Sequence, residues 1–154
     1  MNMADFLSPD SVIEGLRVSS KKQALQEMAR RAAVVTGQGE RAIFEVLLVR
    51  ERLGTTGVGH GVAIPHGKLE SLTRLHIFFA RLAEPIDFDA IDDQPVDLLC
   101  LLLAPQSAGA DHLKALAQVS RLLRDRKVCE KLRGAANADA LYALLTDVPA
   151  SHAA

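Results

Sequence analysis

Seven consecutive apolar residues, Leu98 to Ala104, run up to Pro105 and constrain this chain more than any other stretch. They are far too few to span a bilayer, which takes about 20. A run this unrelieved, within Val96–Ala104, predicts a central strand covered on both faces, closed by a proline that cannot extend the ladder. The chain must therefore supply apolar cover for two sides of a sheet. Its 154 residues are enough to do so as one domain. Leu75 to Leu82 reads as a second strand, with His76 and Arg81 as its polar members. Glu84-Pro85 is expected to break it, and Ile86-Asp-Phe-Asp through Asp92-Asp-Gln-Pro95 reads as a turn-rich, hairpin-like connection. The acidic residues Asp87, Asp89, Asp92 and Asp93 lack the calcium-loop pattern, so a solvated turn explains them.

Helical periods surround these strands. Residues 1–10 are polar or mixed and read as a short arm, while Val12 to Val18 fits either a strand or a turn of helix. Ser20-Lys-Lys-Gln23 has the form of a capping box, and Leu25, Met28, Ala32 and Val35 follow at helical spacing to a stop at Gly37. A second helix spans about Gly39 to Leu53, with Ile43, Val46, Leu47 and Leu53 on one stripe and Gly54 as its stop. Asp111 reads as the N-cap of a helix to about Arg124, with Leu113, Leu116, Ala117, Ser120 and Leu123 inward. Two further helices are expected near Arg126 to Arg133 and from an Asn137 cap to about Thr146. Strands embedded among helices at these spacings predict an α/β sandwich. The expected unit is one domain over 1–154, with a core of about 8–148 and a frayed tail over 149–154.

Charge and cysteine usage exclude several classes of function. Eighteen Lys+Arg against 19 Asp+Glu leave a net charge of -1, which recommends neither nucleic acid nor an anionic membrane as a partner. No charged leader precedes a long apolar segment, so a cytoplasmic protein without membrane insertion is expected. Cys100 lies inside the apolar run and Cys129 in a helix-like segment, without metal-ligand spacing, and both read as buried thiols.

The chemistry concentrates in Gly54-Thr-Thr-Gly-Val-Gly-His-Gly-Val-Ala-Ile-Pro-His66-Gly-Lys68, where five of 15 residues are glycine. Such density reads as a loop whose amides line a pocket. Pro65 fixes its own φ and pushes Ile64 toward extended backbone, so His66 is presented rigidly at the end of a short β segment. A neutral imidazole beside such a loop suits phosphate chemistry. Arg50 falls on the apolar stripe of the second helix, seven residues after Ile43. It is either a snorkelling guanidinium or a fork aimed at phosphate oxygens. His112 falls in the first turn of its helix, where free amides and the dipole favour an anion, although an isolated histidine there is by default merely exposed. His76 reads as an edge or interface residue. A metal site built from His60, His66 and His112 is the competing chemistry. No cysteine or carboxylate stands at companion spacing, so no metal and no cofactor is assigned.

Arg50-Glu-Arg52, Gly54 to Gly59, Gly61-Val-Ala-Ile-Pro-His66-Gly-Lys68 and Pro85 to Leu99, with weaker likeness at Asp111-His-Leu113, resemble enzyme IIA proteins of the bacterial phosphotransferase system. The fructose/mannitol type is the nearest, and within it the nitrogen-regulatory enzyme IIA. The resemblance implies a mixed central sheet with helices on both faces. It implies a phosphotransferase working through a phosphohistidine: His66 accepts a phosphoryl group at Nε2 from an HPr-like histidine phosphocarrier, with His112 and Arg50 stabilising the phosphate. Loop amides and the Thr55 or Thr56 hydroxyls are further candidates, and no role is carried onto His60. Without a Walker loop or kinase motif set, direct use of a nucleoside triphosphate is not expected. The regulatory branch implies control of targets such as kinases or potassium transport components through phosphorylation state. The alternative is a sugar-specific enzyme IIA that passes phosphate to a IIB domain.

Overall fold

The computed structural model describes residues 2–153, with side chains described to residue 146. Strands β1 (Val12–Leu16), β2 (Gly57–Gly59), β3 (Val62–Ala63), β4 (His66–Leu69), β5 (His76–Ile86) and β6 (Val96–Pro105) form one mixed sheet. Helices α1 (Lys21–Thr36), α2 (Glu40–Arg52), α3 (Ala110–Arg124), α4 (Arg126–Gly134) and α5 (Ala138–Ala153) complete the fold. The expected tail over 149–154 falls on side chains outside the described residues.

The strand order is β1-β5-β6-β3-β2, with β4 also paired to β6. As the apolar run requires, β6 is central: β5 lies antiparallel on one side, and β3 and β4 lie parallel on the other. Its alternate side chains feed two separate cores. Leu98, Cys100, Leu102 and Ala104 pack with α3, α4 and α5, whereas Leu99, Leu101 and Leu103 pack with α1 and α2. Two helical layers thus enclose the sheet, and burying each large apolar side chain contributes roughly 1.5–3 kcal/mol before chain entropy is subtracted.

Segments β3 and β4 follow one another along the same edge of β6. Val62 and Ala63 pair with Leu98 and Leu99, and pairing resumes with His66 opposite Leu102. Pro65 sits in the gap, where its missing N–H costs nothing and its carbonyl still accepts from the Leu102 amide at 3.0 Å. His66 is therefore registered by the sheet itself.

Several boundaries differ from the sequence reading. The open segment after Val12 is a strand, parallel to β5. The segment expected as a short arm is docked from its third residue, because Met3 and Leu7, one helical turn apart, are buried in the α3–α5 core. Strand β5 continues through Glu84-Pro85 to Ile86, since its register with β6 slips between Arg81 and Ile86 and the proline falls in that irregular part. Leu53 is 82% exposed, and Glu51 takes the inward position instead. Helix α3 begins at Ala110 with Gly109 as its cap, so Asp111 is inside the helix. Its buried stripe is His112, Ala115, Val119, Leu122 and Leu123; Leu123 is inward as expected, while His112, Ala115 and Val119 stand one position before the expected Leu113, Leu116 and Ser120.

Candidate functional site

Three elements converge on the imidazole of His66. Strand β4 presents the ring, the last turn of α2 brings Arg50 from one helical layer, and the first turn of α3 brings His112 from the other. His66 Nδ1 lies 2.9 Å from the Ile64 carbonyl oxygen. A carbonyl only accepts, so Nδ1 carries the proton. On the opposite nitrogen, Arg50 Nε–H donates to Nε2 at 3.1 Å. Guanidinium only donates, so Nε2 holds a lone pair, and both neighbours select the same neutral tautomer. Burial lowers the His66 pKa; the Ile64 hydrogen bond opposes that, the Arg50 charge adds to it, and the Glu51 charge opposes it.

Arg50 is held on its far side as well, donating from Nη1 to the Gly54 carbonyl at 2.8 Å. His112 is 7% exposed, with its ring centroid 5.7 Å from that of His66, and its buried Nδ1 has no hydrogen-bond partner among the described residues. Its pKa is lowered by burial, then by the charges of His66 and Lys68. The arrangement offers a neutral nucleophilic nitrogen flanked by a permanent cation and a second imidazole, which suits a transferable anion at Nε2.

The glycine-rich stretch is not an open cradle of amides. Residues 57–63 form the β2–β3 hairpin, turned by His60 and Gly61 with φ values of 56° and 80°, the pair of positive φ angles that a type I′ turn requires. His60 N–H donates to Asp92 at 2.9 Å and its carbonyl accepts from Arg133 at 2.8 Å, so its backbone fastens the hairpin. Thr55 Oγ1 donates to the Phe88 carbonyl at 3.1 Å, and the Thr56 hydroxyl donates to Glu51. Gly67 serves close approach: a Cβ there would lie 2.3 Å from Val46 Cγ1 of α2. Among the described residues there is no group of three or more His, Cys, Asp or Glu placed to hold a metal.

The sequence reading missed Glu51. It is 8% exposed, accepts from the Thr56 amide with both oxygens at 3.2 Å, and pairs with Lys21 Nζ at 2.8 Å. The available signal was its spacing, four and eight residues after Leu47 and Ile43 on the buried stripe.

Residues 5–148 match the model of the phosphoenolpyruvate-dependent sugar phosphotransferase system EIIA 2 family. The chain belongs to that family. Membership makes it a phosphotransferase-system phosphoryl carrier. A nitrogen regulatory protein of Bradyrhizobium diazoefficiens is 58% identical over 153 residues, covering 99% of this chain and all of that protein. The crystal structure of the nitrogen regulatory protein IIA-Ntr from Neisseria meningitidis superposes with a TM-score of 0.89 at 33% identity, covering 94% of this chain and 99% of that one. Enzyme IIA-mannitol of Escherichia coli, in its complex with phosphorylated enzyme IIB-mannitol, shares the fold at a TM-score of 0.74 and 22% identity over 90% of this chain and 95% of that one. The enzyme IIA fold is thus a mixed sheet between two helical layers, and no helix among the described residues is long and apolar enough to cross a membrane.

Proposed function

We propose that this chain is a single enzyme IIA domain of the nitrogen-regulatory branch, which takes a phosphoryl group onto His66 and acts on its targets through its phosphorylation state. The observation that carries the acceptor is the tautomer: Nδ1–H is committed to Ile64, which leaves the lone pair at Nε2. Nε2 attacks the phosphorus of a phosphohistidine on an HPr-like phosphocarrier; the donor's P–N bond breaks and its electron pair returns to the donor imidazole. One P–N bond replaces another, so an aligned nucleophile and charge stabilisation are all that the acceptor must supply. The proton stays on Nδ1, where the Ile64 carbonyl stabilises the positive charge that develops on the ring. Arg50 exchanges its bond to Nε2 for phosphoryl oxygens, which its fork matches, and His112 donates to the same oxygens from the other side.

The regulatory reading is supported by the relatives named nitrogen regulatory protein and by full-length coverage of the Bradyrhizobium protein. A phosphoryl group adds charge and acceptor oxygens at a surface, which is sufficient to attract or repel a partner. Targets of the kinase or potassium-transport kind, and a cytoplasmic location, belong to this proposal. Transfer onward to a IIB domain is the second reading, favoured by the mannitol complex.

The test is intact mass after mixing with enzyme I, the phosphocarrier and phosphoenolpyruvate. One acid-labile phosphoryl group is expected on the wild type and none on His66→Ala. An unmodified wild type with a competent donor, or a modified His66→Ala, refutes the assignment.

A further inference from the structure

Glu51 is an acidic side chain in an unfavourable place. It stands in the last turn of α2, at the negative end of the helix dipole, and it is buried. An ionised carboxylate there must be compensated, and the compensation is specific: Lys21 of α1 on Oε2, and the amide and hydroxyl of Thr56. Lys21 also sits 5.0 Å from the centroid of the Phe88 ring.

The consequence lies beyond Thr56. The Thr56 carbonyl accepts from the Ile64 amide at 2.9 Å, and the Ile64 carbonyl is the acceptor for His66 Nδ1–H. A series of hydrogen bonds therefore runs from a buried carboxylate, by way of the backbone of Thr56 and then of Ile64, to the nitrogen opposite the nucleophile. The same carboxylate bridges residues 51 and 56 and so closes the turn containing Gly54, whose carbonyl anchors Arg50. We infer that Glu51 is a positioning residue for His66: its carboxylate pins Thr56, and the bonded Thr56–Ile64 peptides carry that constraint to the carbonyl that selects the reactive tautomer.

This inference rests on His66 being the acceptor, and its test separates the two. The direct readout is the nitrogen-15 NMR spectrum of the His66 imidazole above its titration range, in the wild type, in Glu51→Leu and in Thr56→Val. The leucine keeps volume but removes both acceptor oxygens, and the valine removes only the hydroxyl donor. The wild type is expected to show one tautomer, protonated at Nδ1. Glu51→Leu is expected to populate the Nε2–H form, with phosphoryl uptake slower by about tenfold at an unchanged KM for the phosphocarrier, below the roughly 100-fold that an ångström of misplacement can cost. Thr56→Val is expected to shift the same way by less, and it decides the matter if Glu51→Leu does not fold. A wild-type His66 spectrum in whichever of these variants folds overturns the inference. If instead the wild type takes no phosphate from a competent donor, the acceptor reading fails while the tautomer spectra still judge Glu51.

Discussion

The two helices that reach His66 do so on different terms. Arg50, from α2, is already engaged in the resting protein, one nitrogen on His66 Nε2 and another on the Gly54 carbonyl. His112, from α3, is buried beside the ring, and its Nδ1 bonds nothing among the described residues. Arg50 must therefore give up a bond to Nε2 before it can serve a phosphoryl group, whereas a bond from His112 to the phosphate is pure gain. Only interactions that strengthen in the transition state accelerate a step, so the side that is idle at rest carries the larger share. A permanent charge is not automatically the stronger helper.

Two substitutions try that asymmetry at its largest. His112→Ala is expected to slow phosphoryl uptake by on the order of 100-fold, about 2.7 kcal/mol, the loss typical of one donor to developing charge. Rapid-quench kinetics reads this directly, and an effect equal to or smaller than that of Arg50→Ala breaks the comparison. Gly67→Ala perturbs only the α2 side. Its Cβ would lie 2.3 Å from Val46 Cγ1, a stiff β-branched side chain, so α2 must shift from β4 at an overpacking cost of about 1–3 kcal/mol. Calorimetry should show a lower Tm that Val46→Ala restores in the double variant. Should Val46→Ala restore nothing, the crowding is elsewhere.

The fold was legible because its strongest signals were local. The uninterrupted Leu98–Ala104 run could only be a covered strand, and Ser20, Gly37 and Asn137 mark helix ends by chemistry that acts within a few residues. The site was legible in its members and not in its arrangement. Glycine density suggested a pocket of amides, yet the glycines serve a hairpin turn and the approach of α2 to β4, needs that are set by tertiary neighbours. His112 escaped the expected inward stripe of α3 because the helix is capped by Gly109, two residues before Asp111, and Leu113, 66% exposed, is the better hydrophobe. Glu51 stands at buried-stripe spacing after Ile43 and Leu47, but a carboxylate is buried only with partners, and Lys21 and Thr56 are brought to it by the fold.

Arg50→Ala is the smallest and most discriminating change. It removes a phosphate ligand but also uncaps Nε2, and the two effects oppose each other, so the expected loss of rate is about tenfold, near 1.4 kcal/mol. It also has a pH signature with a definite sign. The His66 pKa is lowered by burial first and by the Arg50 charge as well, so removing Arg50 moves it up toward the ordinary value of about 6.5. Only the neutral ring attacks, and the acid limb of the rate profile, below about 6.5 in the wild type, must therefore move to higher pH in the variant. Stability follows the same linkage. A histidine whose folded pKa lies below its unfolded one contributes stability that is complete above about 6.5 and is lost as pH falls through the folded pKa. His66, His76 and His112 all have lowered values, so the wild type should weaken through that window, and Arg50→Ala should weaken less steeply. NMR titration of His66 beside the rate profile decides it: an acid limb that stays put or moves down in Arg50→Ala would mean that the guanidinium does not bear on the nucleophile's charge, and the distinction between the two sides would then rest on His112 alone.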